Sequence, residues 1–223
     1  GWRMGVAWYF TSDSGSGGGY TDYLNKGNVG MRYRSLDPEL FDSLQRLYDD
    51  GRGERSVARL ESAGLLPPGT RYCRKNISSL GPDDRRTWLD RILLDLAGCD
   101  VVFLDPDNGL ARGGWIPGKP HRYASLQEAL ALLDSGSSLI IYHHEGANPR
   151  GRGSPLQQDV KTLMATIRRL RPNIQVPGSL IWKTKSRRAF LIVAHEHHRT
   201  RLEAGIHNFL ESPWRSDFSF FVG

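Results

Sequence analysis

The chain has little of what would mark a secreted, membrane-bound or metal-scaffolded protein. Two cysteines, Cys73 and Cys99, in 223 residues are too few for a disulfide framework. Both stand beside apolar residues at expected strand ends, as packed thiols do. No apolar run is long enough to cross a bilayer, and nothing resembles a secretory leader. The expected setting is therefore cytoplasmic, with no membrane partner. The first residue is Gly1 rather than methionine, which leaves room for a preceding segment. Several cofactor signatures are missing too. There is no GxxxxGK[ST] phosphate loop, and Gly15-Ser16-Gly17 is not followed by the helix that GxGxxG requires. His195, Glu196 and His197 lack HExxH spacing, while His143 and His144 point to opposite sides of a continuing strand. Three histidines with Asp105 have the donor types for a divalent ion, but this spacing argues against one. Neither a metal nor a cofactor is expected.

What the sequence has in excess is positive charge. Thirty Lys and Arg stand against 24 Asp and Glu, a net charge of +6 and a pI near 9.5. Arginine, suited to bidentate phosphate contacts, dominates the basic set. A clustered basic chain of this kind carries the electrostatic footprint of nucleic-acid binding. The hydrophobic share of 39% and charged share of 24% are those of a globular chain with a real core.

Strand and helix signals alternate along the chain. Met4 to Phe10 reads as a strand, followed by a Gly/Ser-rich flexible loop over about 11–35. That loop carries Tyr20, Tyr23, Lys26, Arg32, Tyr33 and Arg34, a mixture suited to base stacking and phosphate contact, or to packing on the loop's own domain. Asp37-Pro38 starts a helix with Leu40, Phe41, Leu44 and Leu47 on one face. A short helix follows over about 55–63, then a short strand over 71–74. Pro82 to Ala97 is amphipathic, with Gly98 at its stop. Val101 to Leu104 is a buried strand. Ser125 caps a helix to Leu133, and Ser138 to Tyr142 is another buried strand. Pro155 to Leu170 is helical, and Leu180–Thr184 and Ala189–Ala194 form a strand pair. A last helix reaches Leu210, and Phe218 to Val222 is a final strand. With no repeat and no linker, the reading is a single α/β domain over 1–223: a mostly parallel central sheet flanked by helices, with an antiparallel strand pair near the C-terminus.

The most informative stretch is 100–109, where an apolar run stops in Asp105-Pro106-Asp107-Asn108-Gly109. In open α/β sheets ligands bind at the carboxyl ends of such strands. Asp105 and Asp107 are thus candidate catalytic acids, and the Asn108 amide suits reading a polar ligand edge. Two further strands end in polar clusters, at His143 to Gly146 and His195 to Arg199. If the strands are parallel neighbours, all three clusters meet at one edge. A carboxylate orienting water and a histidine facing developing charge are equipment for hydrolysis. Tyr142, His143 and His144 are candidate recognition residues. Arg150, Arg152, Lys183, Lys185, Arg187, Arg188 and Arg199 are expected to line the DNA path.

The strand, Asp-Pro-x-x-Gly, helix, strand order is similar to the active-site turn of the uracil-DNA glycosylase superfamily, where Asp-Pro-Tyr-His follows a buried strand. The resemblance covers about half of the chain. It implies that Asp105 orients the attacking water and that His195 is the late histidine that contacts a flipped base. Asp107 and Asn108 replace the family's aromatic residue and histidine, and His-Glu-His-His replaces His-Pro-Ser-Pro. These departures imply a larger, polar, modified base in place of uracil. Taken whole, the chain looks like bacterial antiphage glycosylases that excise glucosylated hydroxymethylcytosine from phage DNA. The partner so implied is double-stranded DNA, and the activity is hydrolysis of an N-glycosidic bond to leave an abasic site, in antiviral defence.

Asp105 to Asn108 also looks like a degenerate form of the Asp-Pro-Pro-Tyr motif of class I methyltransferases, whose sheet finishes in an antiparallel strand pair. That alternative implies S-adenosylmethionine, for which a convincing acidic GxGxG loop is missing near the start. A third reading is a non-catalytic DNA-binding module. The acids at a strand end count against it, because bare carboxylates repel phosphate.

Overall fold

The computed structural model describes residues 1–10, 22–24, 27–50, 57–77, 82–111, 120–145, 156–183 and 187–223. Arg150, Arg152 and Lys185 of the expected DNA path lie outside them, as does most of the Gly/Ser-rich segment.

Its strands are β1 (Met4–Trp8), β2 (Arg71–Cys73), β3 (Val101–Asp105), β4 (Gly109–Ala111), β5 (Tyr123–Ser125), β6 (Ser138–His144), β7 (Ile174–Trp182), β8 (Arg188–His195) and β9 (Phe218–Phe221). Between them run α1 (Asn28–Leu36), α2 (Pro38–Asp50), α3 (Val57–Ser62), α4 (Pro82–Asp95), α5 (Leu126–Asp134), α6 (Leu156–Leu170) and α7 (Glu196–Glu211). Seven strands form the central sheet in the order β2-β1-β3-β6-β8-β7-β9, and β4 and β5 form a small parallel pair apart from it. β2, β1, β3 and β6 are mutually parallel. β8 runs antiparallel between β6 and β7, and β9 runs antiparallel to β7. Five of the seven strands therefore share one direction, and the expected antiparallel pair is β7–β8.

Alternation along the strands divides the sheet into two faces. On one, Val102, Leu104, Leu139, Ile141, Leu191 and Val193 are almost wholly buried. That face is covered by α4, α5 and α6. On α6, Leu156, Val160, Leu163, Met164 and Ile167 are buried at helical spacing. α5 begins in a capping box: the Ser125 hydroxyl accepts from the Glu128 N–H at 3.1 Å, and the Glu128 carboxylate accepts from the Ser125 N–H at 2.9 Å.

The other face carries Trp8, Phe103, Tyr142, Phe190 and Trp182, all half-buried. α7 packs against β7 and β8 there, with Phe209 edge-on to Phe218 at 5.0 Å.

Two departures from the sequence reading have identifiable causes. Residues 28–36, expected within a loop, form α1, although Gly27 caps it with no side-chain bond and Val29 and Met31 are exposed. α1 is held by tertiary contacts: it packs on α2, and Arg32 pairs with the buried Asp217. β7 starts at Ile174, six residues before its expected start, with Pro177-Gly178 inside it. A register irregularity between Gln175 and Gly178 absorbs them, and Gly178 leaves the space that Phe220 and the Phe221 carbonyl occupy.

Candidate functional site

β3, β6 and β7 all end at the same sheet edge, and β8 starts there. Asp105 lies on the half-buried aromatic face, level with Trp8 of β1 and adjacent to Tyr142 of β6. Burial pushes its carboxyl up to about 6, and the nearby Asp107 charge adds to the rise. Asp107 itself is exposed and pairs with Arg122 at 3.5 Å.

The turn that follows is fixed by backbone bonds. The Asn108 N–H donates to the Arg122 carbonyl at 2.8 Å, and the Asn108 carbonyl accepts from the His144 N–H at 2.9 Å. Gly109 has φ +124°, and a Cβ there would lie 2.5 Å from His143 Nδ1 and 2.8 Å from its Cα. Only glycine fits that approach.

His143, expected as a recognition residue, does not share a face with Asp105. It lies on the opposite face from Asp105, is 2% exposed, and its Nδ1 accepts the Leu110 N–H at 3.2 Å. That bond clamps the turn onto β6. Tyr142 and His144 do share the Asp105 face, as the period of two requires. The Tyr142 hydroxyl accepts from Arg188 Nε at 2.7 Å. Burial raises the Tyr142 phenol, Arg188 pulls it down, and Asp105 and Asp107 push it further up. His144 Nδ1 meets the Glu145 carbonyl at 2.6 Å.

His195 is placed at the far end of the sheet. β8 is antiparallel to β6, so its C-terminus lies at the edge where β6 begins. There the His195 N–H donates to the Ser138 hydroxyl at 3.0 Å, and its Nε2 meets the Leu133 carbonyl at 2.9 Å. It is the N-cap residue of α7 and cannot act with Asp105. Arg199 goes with it: it sits in the first turn of α7, paired with Glu203 at 2.8 Å. The expectation that three polar clusters meet at one edge thus holds for two of them. It assumed parallel neighbours, and β8 is antiparallel.

Three basic residues of the expected DNA path do border the Asp105 edge. Lys183 follows β7, with its ammonium 3.4 Å from the Arg215 carbonyl. Arg187 precedes β8 and meets Glu145 at 3.3 Å. Arg188 bonds Tyr142 and stacks over Trp182, 4.9 Å from the ring centre. The Arg188–Tyr142 contact and the aromatic flank at Trp8 and Phe190 were not anticipated. Pairing strand ends by face as well as by edge would have found them.

A second polar cluster lies beside β5. Arg85 donates to Glu128 at 2.5 Å and to the Tyr123 carbonyl at 2.7 Å, and the Tyr9 hydroxyl donates to Glu128 at 3.0 Å. The guanidinium stacks over Trp88 at 4.7 Å. Every charge is matched there, as in a structural network.

Cys73 and Cys99 are buried free thiols, both pushed up by burial. Among the described residues, no three His, Cys, Asp or Glu side chains form a metal-holding group, and no helix is long and apolar enough to cross a membrane. The fold and site define an α/β protein with an acidic turn and an aromatic face at one sheet edge. Comparison with family models, curated proteins and solved structures finds no match.

Proposed function

We propose that the chain is a DNA glycosylase that receives a base turned out of the duplex at the Asp105 turn and hydrolyses its N-glycosidic bond. The observation that carries this is Asp105, a half-buried carboxyl held near 6 at the ligand-binding edge of the sheet. Ionised at neutral pH, it is more basic than an ordinary carboxylate, and so a better acceptor for a proton from water. As the bond from C1′ to the base nitrogen breaks, the electron pair leaves with the base and the sugar becomes oxocarbenium-like. Asp105 stabilises that positive charge. Water adds at C1′, its proton passes to Asp105, and an abasic sugar remains. Trp8 and Tyr142 flank the carboxylate with planar rings, and the Asn108 amide offers a donor and an acceptor to the base edge. The modified cytosines of phage DNA are the proposed substrate, and antiviral defence the proposed role.

A second reading, methyl transfer, is favoured by one observation: the sheet ends in an antiparallel strand pair beyond the Asp-Pro-Asp-Asn turn. The residues at the end of β2 argue the other way. Arg74, Lys75 and Asn76 follow β2, and the nearby Glu61 carboxylate is taken up by Arg74 at 3.2 Å and Trp8 at 2.8 Å. That set does not fit the ribose diol of S-adenosylmethionine, which calls for a carboxylate acceptor.

The test is incubation of purified protein with DNA containing glucosylated hydroxymethylcytosine, without added cofactor. Alkali-labile sites are expected with wild type and not with Asp105→Asn, which should still bind the DNA. Transfer of labelled methyl groups from S-adenosylmethionine to the DNA, with no strand lability, overturns the reading in favour of methyl transfer.

A further inference from the structure

A base that departs with the electron pair of the broken bond must gain a proton. Asp105 is not its source, because it takes a proton from water in the same cycle. His143 lies on the opposite face, and His195 at the far end of the sheet. Tyr142 is in place. Asp105 and Tyr142 stand side by side on the parallel strands β3 and β6, one strand spacing of about 4.8 Å apart. Both lie on the half-buried aromatic face, and the Asp105 and Asp107 carboxylates act electrostatically on the phenol.

Arg188 prepares the phenol for that use. Its guanidinium is located by stacking over Trp182, 4.9 Å from the ring centre, and its Nε donates to the Tyr142 hydroxyl at 2.7 Å. That bond occupies a lone pair of the phenol oxygen, so the hydroxyl's own proton is directed to another acceptor. A cation at hydrogen-bond distance also stabilises the phenolate left when the proton goes. Burial acts the opposite way and keeps the group protonated at neutral pH, as a general acid must be before it reacts. His144 shares the face but stands two residues further along β6, about 7 Å on, with its Nδ1 at the Glu145 carbonyl.

We propose that Tyr142 is the general acid of the Asp105 site, giving its proton to the departing base, and that Arg188 is the positioning residue that aims it. The assignment rests on the glycosylase reading of the site. The bond from C1′ to the base nitrogen breaks with its electron pair on the base, and the Tyr142 proton passes to the base. Water then adds its hydroxyl to C1′, and its remaining proton goes to Asp105. Transfer of that proton from Asp105 to the Tyr142 phenolate restores both groups. One water is consumed, and one protonated free base and one abasic sugar are formed.

The test is single-turnover release of base from DNA containing glucosylated hydroxymethylcytosine, at saturating protein, over a range of pH. Tyr142→Phe should bind this DNA nearly as wild type does and release base about 10²–10⁴-fold more slowly at pH 7.5. Solvent acid protonates cytosine bases as pH falls, so the variant's deficit against wild type should shrink by at least about tenfold between pH 7.5 and 5.5. Protonation of Asp105 slows both proteins alike and leaves that ratio unchanged, and a loss of packing alone gives a deficit constant with pH. Arg188→Gln should show a smaller deficit of the same form, and no further loss when combined with Tyr142→Phe. The proposal is overturned if Tyr142→Phe releases base within about threefold of wild type, if its deficit does not shrink toward acid, or if the shrinking deficit appears in His144→Gln instead. In each of these cases base release by wild type leaves the glycosylase reading standing, whereas no release by wild type overturns both. Should the thermal midpoint show that Tyr142→Phe does not fold, the Arg188→Gln deficit decides by the same rule.

Discussion

Asp105 is a costly residue to fold around. Its carboxyl titrates near 6 in the native protein against an ordinary 3.8, so between those values the native state holds the extra proton. Stability then falls as pH rises through that window, by a total on the order of 2–3 kcal/mol. Asp105→Asn is expected to raise stability by about 1–3 kcal/mol at pH 7.5 and by little below pH 4, as urea unfolding at the two pH values will show. Equal stability of wild type and variant at pH 7.5 would contradict the burial argument. In the wild type, base release should decline as pH falls below about 6, following the same carboxylate. Gly109 is the opposite case, a residue required by shape alone. Gly109→Ala puts a methyl into His143 at a positive φ and is expected to cost at least about 2 kcal/mol, read from the thermal midpoint.

At the scale of elements, the α5 N-terminus ties local and distant interactions together. Glu128 completes the capping box, receives Arg85 and accepts the Tyr9 hydroxyl, all while 3% exposed. Ser125→Ala removes only the cap and is expected to cost about 0.5–2 kcal/mol. Glu128→Ala strands the Arg85 guanidinium and should cost about 3–5 kcal/mol. Chemical denaturation of both variants checks the ratio, and a Glu128→Ala cost no larger than that of Ser125→Ala would show that the buried pair adds nothing. The Ser125 cap was legible in the sequence, because Ser-x-x-Glu ahead of an apolar run is a local signal. Arg85 was not, since it lies 43 residues from Glu128.

At the scale of the molecule, strand direction decides which basic residues border the cleft. Lys183 and Arg187 flank the β7–β8 turn at the Asp105 edge, while Arg199 lies at the other end of the sheet. Lys183→Ala with Arg187→Ala should reduce the slope of log K against log salt for duplex DNA by about two. Arg199→Ala should leave the slope unchanged. Titrations from low to moderate salt will show this, and a reversed pattern would put the DNA at the α7 edge.

The sequence by itself determined most of the elements of the central sheet and its helices, and the acidic turn, but neither α1 nor the β4–β5 pair. Apolar periodicity is local, and Asp105-Pro106-Asp107-Asn108-Gly109 is contiguous, so both can be read without a partner strand. It also separated His143 from His144 in principle, since successive strand residues face opposite ways. Tertiary structure decided which strand ends meet. The insertion of β8 antiparallel between β6 and β7 carried His195 and Arg199 away from Asp105 and brought Arg188 to Tyr142. It also made a helix of residues 28–36, whose sequence carries no cap and whose partners lie in α2 and at Asp217. Strand order is set by long-range packing of whole faces, and no window of local sequence contains it.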